Sequence, residues 1–186
     1  MKHLIAFSSP SGGGKSTIVK KILADFPNFV LSVSATTRSP RSGEIDGTHY
    51  YFKTFAEFKE LIDTNQLIEW EEIFGNYYGT PKSELARIGQ NMCLIFDIDV
   101  KGALTMKRNY PNDSLLIFIS PPSLEVLEQR LRNRLSDSEQ QINYRLKRAE
   151  FEMSFQNQFD KIVINDNLDV AYQNVVEILK ANTNCC

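Results

Sequence analysis

The ten residues Ser8-Ser9-Pro10-Ser11-Gly12-Gly13-Gly14-Lys15-Ser16-Thr17 constrain this chain more than any other segment. An apolar run at 4–7 leads into them. Ile18, Val19, Ile22, Leu23 and Phe26 follow at helical spacing until Pro27 stops the helix. Strand, glycine-rich turn, Lys-Ser and helix is the order a nucleotide-phosphate cradle requires. Glycines let the backbone curl so that its N–H groups point at phosphate oxygens, and the helix N-terminus adds its positive dipole end. On this reading Ser9, Pro10, Ser11, Gly12, Gly13, Gly14, Lys15, Ser16 and Thr17 wrap a nucleoside triphosphate. Lys15 reaches the β- and γ-phosphates, and the Ser16 hydroxyl is a ligand for Mg²⁺. Ser9 stands where the strict pattern has Gly, a place where a small residue fits. The alternative is a plain glycine-rich turn before a capped helix, which leaves the preceding strand unexplained.

Further apolar runs at 29–33, 92–96, 115–119 and 161–164 alternate with helix-period segments. Such alternation implies an α/β fold with a parallel sheet covered by helices on both faces, of the P-loop NTPase type. At 186 residues the chain is sized for one domain that buries its own core. Two stretches break the alternation. Residues 34–80 are rich in Gly, Tyr and charge, with a strand signal at Tyr50-Tyr51-Phe52 and a helix near 55–62. Residues 130–148 are expected to be helical and carry Arg130, Arg132, Arg134, Arg145, Lys147 and Arg148. The expected division is a core of about 1–33, 81–125 and 150–186, a mixed α/β acceptor-binding insertion at about 34–80, and a helical lid at about 126–149. Insertions at the rim of such a core lie where ligands bind.

Within the first insertion, Arg38 and Arg41 flank a proline in a loop, and arginine forks grip oxyanions bidentately. Tyr50 and Tyr78 add hydroxyl donors. From composition alone a solvated loop and core tyrosines explain them equally well. The order Ser34…Thr37-Arg38-x-Pro40-Arg41-x-Gly43-Glu44…Asp46-Gly47…Tyr50-Tyr51-Phe52, however, resembles the guanylate kinase family. So do Ile68-Glu69-Trp70…Gly75-Asn76-Tyr77-Tyr78-Gly79-Thr80, Phe96-Asp97-Ile98-Asp99-Val100-x-Gly102, Pro121-Pro122-Ser123, Arg130-x3-Arg134, Arg145-Leu146 and Val163-Ile164-Asn165-Asp166-x-Leu168-Asp169. The likeness runs through nearly the whole chain.

The resemblance implies an enzyme that moves the γ-phosphoryl group of ATP onto GMP. It implies that Arg38, Arg41, Tyr50 and Tyr78 hold the GMP phosphate, that Ser34, Glu69 and Thr80 face guanine, and that Glu44, Asp97 and Asp99 belong to the acceptor site. Glu69 also has an independent chemical rationale. A carboxylate accepts from N1–H and the 2-amino group of guanine, and adenine offers neither donor. Asp97 and Asp99 close an apolar strand, where such carboxylates order Mg²⁺ waters, as Asp97 could, or bind the acceptor; the sequence leaves open which of the two serves which. Capping of the next helix is the other use of such a pair.

Arg130 and Arg134, four apart on one expected helix face, and Arg145 would close with Lys15 and Arg41 over the transferring phosphoryl group. Asp137 and Glu139 are available to neutralise them instead. Leu135-Ser136-Asp137-Ser138-Glu139 departs from the family's usual turn at the lid tip. Asn165 and Asp166 match the family's adenine-side contacts and also suit an Asx turn. A sugar-phosphate kinase on the same fold would keep Lys15 and the lid arginines without needing Glu69. A non-catalytic protein-binding module of this family typically has a degraded phosphate loop, whereas Lys15 and Ser16 are present here.

Charges nearly cancel, 21 basic against 23 acidic, which argues against partners held through bulk charge such as nucleic acid or a membrane. No apolar run approaches a membrane span. Three cysteines cannot make a disulfide framework, so the expectation is a reduced, cytoplasmic protein, monomeric or homodimeric, with Cys185-Cys186 as a frayed end.

Overall fold

The computed structural model describes every residue except 74, 90 and 134–137. In chain order it begins with β1 (Leu4–Ser8), α1 (Lys15–Asp25) and β2 (Phe29–Leu31). Then come β3 (Ala35–Thr36), β4 (Tyr51–Phe52), α2 (Phe55–Asp63), β5 (Leu67–Ile73) and β6 (Asn76–Pro81), followed by a 3-10 turn at Lys82–Arg87. The remainder is β7 (Cys93–Asp97), α3 (Val100–Asn109), β8 (Ser114–Ser120), α4 (Leu124–Arg132), α5 (Glu139–Met153), β9 (Lys161–Ile164) and α6 (Leu168–Asn182).

Five strands pair in the order β2-β7-β1-β8-β9, and every pairing is parallel. All five arise from the apolar runs expected to form strands. Because side chains alternate across a strand, each central strand feeds two cores. Ile5, Phe7, Ile95, Ile117 and Ile119 join Ile18, Ile22, Val175 and Leu179 of α1 and α6 on one face. Leu4, Ala6, Leu94, Phe96, Leu116 and Phe118 meet Val100, Ala103 and Met106 of α3 on the other. Covered on both faces, the strands read as unbroken apolar runs. Among the described residues no helix is long and apolar enough to cross a membrane.

The stretch from Ala35 to Pro81 builds a second, mixed sheet in the order β4-β3-β6-β5, backed by α2 through Phe58. Its longest pairing is the β5–β6 hairpin, which sets Glu69 opposite Thr80. Buried Glu84 fastens this sheet to the core. It accepts from Val33 N at 2.8 Å, from Tyr51 Oη at 3.0 Å and from Arg87 Nη1 at 2.7 Å.

Two expectations need correction. The charged segment 130–148 is not one helix: α4 ends at Arg132 and α5 begins at Glu139. The break has a local cause, since Ser138 and Gln141 form a reciprocal capping box that starts a new helix. Arg134, expected on the face of Arg130, lies outside the described residues. The chain end is also not frayed. Thr183 and Cys185 are buried, and Cys185 is disulfide-bonded to Cys93, their Cα atoms 6.0 Å apart. Alternation aims Cys93 at the α6 face, and the residues after α6 turn back under it.

Candidate active site

A cleft of about 890 Å³ opens beyond the carboxyl ends of β1 and β7, where an open parallel sheet binds its ligands. Its walls come from the loop after β1, from the β5–β6 hairpin, from the end of β7 and from α5.

Ser9, Pro10, Ser11, Gly12, Gly14, Lys15, Ser16 and Thr17 line the first wall. Gly14 caps α1 at φ 95°, a left-handed conformation that a side chain disfavours, and a Cβ there would collide with Asn165 Nδ2. Asn165 is buried and donates from Nδ2 to Gly13 O at 2.8 Å, so it braces the loop from behind. Arg130 belongs to the same brace. Its Nη2 donates to Asn165 O at 2.9 Å and to Asp166 O at 3.3 Å, rather than facing the cleft. The Lys15 ammonium is ion-paired with the Asp97 carboxylate at the end of β7.

On the opposite wall Glu69 is buried at 4% exposure, though its carboxylate borders the cleft. Thr80 Oγ1 donates to Glu69 Oε1 at 2.7 Å and lies 3.3 Å from Ser34 Oγ. Thr80 is wholly buried behind Glu69, while Ser34 reaches the surface of the cleft. Burial pushes the Glu69 carboxyl up to about 7, with the negative charge of Asp99 adding and the Thr80 hydroxyl opposing. Asp99 accepts from Gly102 N at 2.8 Å and so caps α3 while still bordering the cleft; burial raises its pKa. Asp97 and Asp99 are therefore both at the site, with different local partners.

Tyr50 and Tyr78 stand edge to face on the cleft wall, ring centroids 6.2 Å apart. Arg38 lies behind them, its guanidinium 5.4 Å over the Tyr50 ring. Glu44 takes the Arg38 fork bidentately, at 3.0 and 2.9 Å, and accepts from Arg41 N at 2.7 Å. The Arg38 guanidinium beside it holds the Glu44 carboxyl down at about 2. Glu44 thus orients the arginine loop, and none of Arg38, Arg41 and Glu44 lines the cleft.

Helix α5 closes the site with Gln141, Tyr144, Arg145, Arg148 and Glu152, and Arg145 Nη1 donates to Ser11 Oγ at 3.3 Å. Sequence reasoning found Arg145 and missed Tyr144, Arg148 and Glu152. Their spacing of four was the available signal, since it puts all three on one helix face. Glu152 is buried; Oε1 accepts from Arg148 Nε at 2.8 Å, and Oε2 has no hydrogen-bond partner among the described residues.

The glycine-rich loop after β1 thus faces a buried carboxylate, Glu69, across one cleft. The chain is similar to known proteins over almost its whole length. A family profile described as Guanylate kinase matches residues 1–182. The guanylate kinase of Rickettsia felis is 47% identical over 179 residues, covering 96% of this chain and 93% of that protein. That of Chlorobium luteolum is 44% identical over 175 residues, covering 94% and 89%. The crystal structure of guanylate kinase from Anaplasma phagocytophilum superposes with a TM-score of 0.77 at 33% identity, over 98% of this chain and 86% of that one.

Proposed function

The chain belongs to the guanylate kinase family, and from that premise we propose that it works as an ATP:GMP phosphotransferase, carrying the γ-phosphoryl group of ATP in line onto the phosphate of GMP. The observation that carries this reading is Glu69, a buried carboxylate fixed by Thr80 and facing the phosphate loop across the cleft.

ATP is held by the phosphate loop. The backbone N–H groups of 11–14 and the first turn of α1 surround its phosphates, and Lys15 exchanges Asp97 for a phosphate oxygen. The Ser16 hydroxyl and the Asp97 carboxylate, hard oxygen donors on the cleft wall, suit Mg²⁺, which when bound neutralises charge on the β- and γ-phosphates. GMP enters against the second sheet, with guanine on Glu69 and Ser34 and its phosphate on Tyr50 and Tyr78, toward which Arg38 and Arg41 turn from their loop behind the cleft wall when the acceptor binds. No side chain acts as nucleophile. A phosphate oxygen of GMP attacks, and the protein contributes position and positive charge. Residues 34–80 act as the acceptor-binding unit and 126–149 as the lid. Arg145, already on the phosphate loop through Ser11, stabilises charge on the transferring group, together with Arg134. Arg130 acts through the Asn165 brace, and Asn165 and Asp166 border the adenine. Closure of α5 keeps water from the γ-phosphate.

The test is ADP formation from Mg-ATP with GMP, AMP, CMP, UMP or no acceptor, in wild type and in Glu69→Gln. GMP-dependent turnover that the variant largely loses is expected. Turnover with another acceptor, or equal turnover with all four, sinks the reading.

A further inference from the structure

At the far end of the sheet from the cleft is a second cluster that phosphoryl transfer does not use. Cys93 opens β7 and Asp97 closes it, so the two ends of this strand are about 13 Å apart. Cys93 and Cys185 are each 1% exposed and covalently joined. A ring nitrogen of His3 lies within 4.8 Å of both sulfurs. His3 Nδ1 is 3.1 Å from Met92 O, an atom that only accepts, so Nδ1 is the donor of that hydrogen bond. An imidazole, a group that can take up a proton, is therefore held beside the cysteine pair.

We propose that Cys93 and Cys185 form a reversible thiol–disulfide site, reacting with low-molecular-weight disulfides and dithiols, that clamps the chain end onto the sheet according to redox conditions. The geometry suits the bond in the relaxed fold, since 6.0 Å between Cα atoms lies within the range disulfides span without backbone movement. The clamped segment is short. Residues 183–186, beyond α6, are held by Cys185 N on Thr183 Oγ1 at 3.3 Å and Thr183 N on Leu179 O at 2.9 Å. Lifting them bares both sulfurs while the sheet stays intact.

Oxidation proceeds in two exchanges. With its proton passed to the His3 imidazole, one cysteine attacks a sulfur of the small disulfide, forming a mixed disulfide and releasing one small thiolate. The second cysteine, deprotonated in turn, attacks the protein-side sulfur, closing Cys93–Cys185 and releasing the second small thiolate. The two protons end on the two released thiols, and a dithiol reverses both steps. The bond closes a loop of 92 residues and joins β7 to the chain end, so the oxidised form is the more stable one.

The full chain is equilibrated across glutathione/glutathione disulfide ratios, quenched in acid, denatured, and its thiols counted. Of its three cysteines, three titrate when reduced and one when oxidised. Cys186→Ser gives two and none. The oxidised wild type melts about 5–15 °C above Cys185→Ser, and dithiothreitol abolishes the difference. Turnover at 25 °C is the same in both redox states. Three thiols persisting in excess glutathione disulfide overturn the proposal, as does modification of Cys186 alone. Stoichiometric zinc uptake by the reduced protein, lost in His3→Ala, overturns it in favour of a metal site.

Discussion

A Cβ on Gly102 would stand 2.6 Å from Glu69 Oε2 and 3.2 Å from Asp99 Oδ1. Gly102, in the first turn of α3, leaves the space that the Glu69 carboxylate occupies. For Gly102→Ala two effects compete. Helix propensity favours Ala over Gly by about 1 kcal/mol. The methyl group, however, enters van der Waals space that Glu69 occupies, and Thr80 fixes that carboxylate from behind at 2.7 Å. The variant should fold with unimpaired stability while its KM for GMP rises about 10- to 100-fold, or 1.4–2.8 kcal/mol of binding. Its KM for ATP should change little. Steady-state kinetics with each substrate varied decide it, and an unchanged KM for GMP would show that Glu69 does not set acceptor affinity.

The same carboxylate gives acceptor binding a pH dependence. With its pKa raised to about 7, Glu69 in the empty site is largely protonated below neutrality, and only the ionised form accepts from both guanine donors. The kcat/KM for GMP should fall by up to about tenfold per pH unit below 7 and level off above it. Glu69→Gln should lack that inflection. Stability runs the other way. A folded pKa raised from 4.5 contributes stability present in full below the unfolded value and lost as pH rises through about 7. On thermal melts without nucleotide, Glu69→Gln should therefore gain on wild type from pH 5 to pH 8, by on the order of 2 kcal/mol.

In the phosphate loop, Gly14→Ala introduces a Cβ at φ 95° into the position of Asn165 Nδ2. The KM for ATP is expected to rise about 100-fold with little effect on GMP binding, since an Ala at this φ and the displaced brace each cost on the order of 1 kcal/mol or more. Adding Asn165→Ala removes the collision and leaves the backbone conformation, so the double variant should recover only part of the loss. Full recovery would mean that the φ of residue 14 is immaterial to ATP affinity.

Glu84 tests the joint between the two sheets. Glu84→Ala strands Val33 N and the Tyr51 hydroxyl and unpairs Arg87. A loss of about 3 kcal/mol is expected, lowering Tm by roughly 6–12 °C, with Glu84→Gln near half of that. Calorimetry of both variants measures it, and a Glu84→Ala melt within a degree or two of wild type would remove Glu84 from this role.

The five core strands were legible because parallel strands covered on both faces carry contiguous apolar runs, and the phosphate loop because its chemistry is local. The second sheet was only partly so. Tyr51–Phe52 showed in the run of aromatics, but Ala35–Thr36 is too short to carry a pattern, and Glu69 acquires its burial from Thr80 and α3, which lie far from it in sequence. The separation of Arg38, Arg41 and Glu44 from the cleft wall goes with hydrogen bonding inside their own loop, where Glu44 takes the Arg38 fork and the Arg41 backbone N–H, and residue spacing is blind to that. The pairing of Cys93 with Cys185 needed the strand order, because only the return of α6 beside β1 brings the chain end under β7.

That strand order also dictates when the protein can fold. β1 leaves the ribosome first, yet its neighbours are β7 and β8, beginning at Cys93 and Ser114. At roughly 5–20 residues per second, Leu4 to Phe7 stay uncovered for about 5 to 20 seconds of synthesis. The nucleotide loop hangs between β1 and α1, so it has no rigid support during that interval. ATP therefore cannot template the nascent chain; it can only stabilise a domain whose central strands have already met.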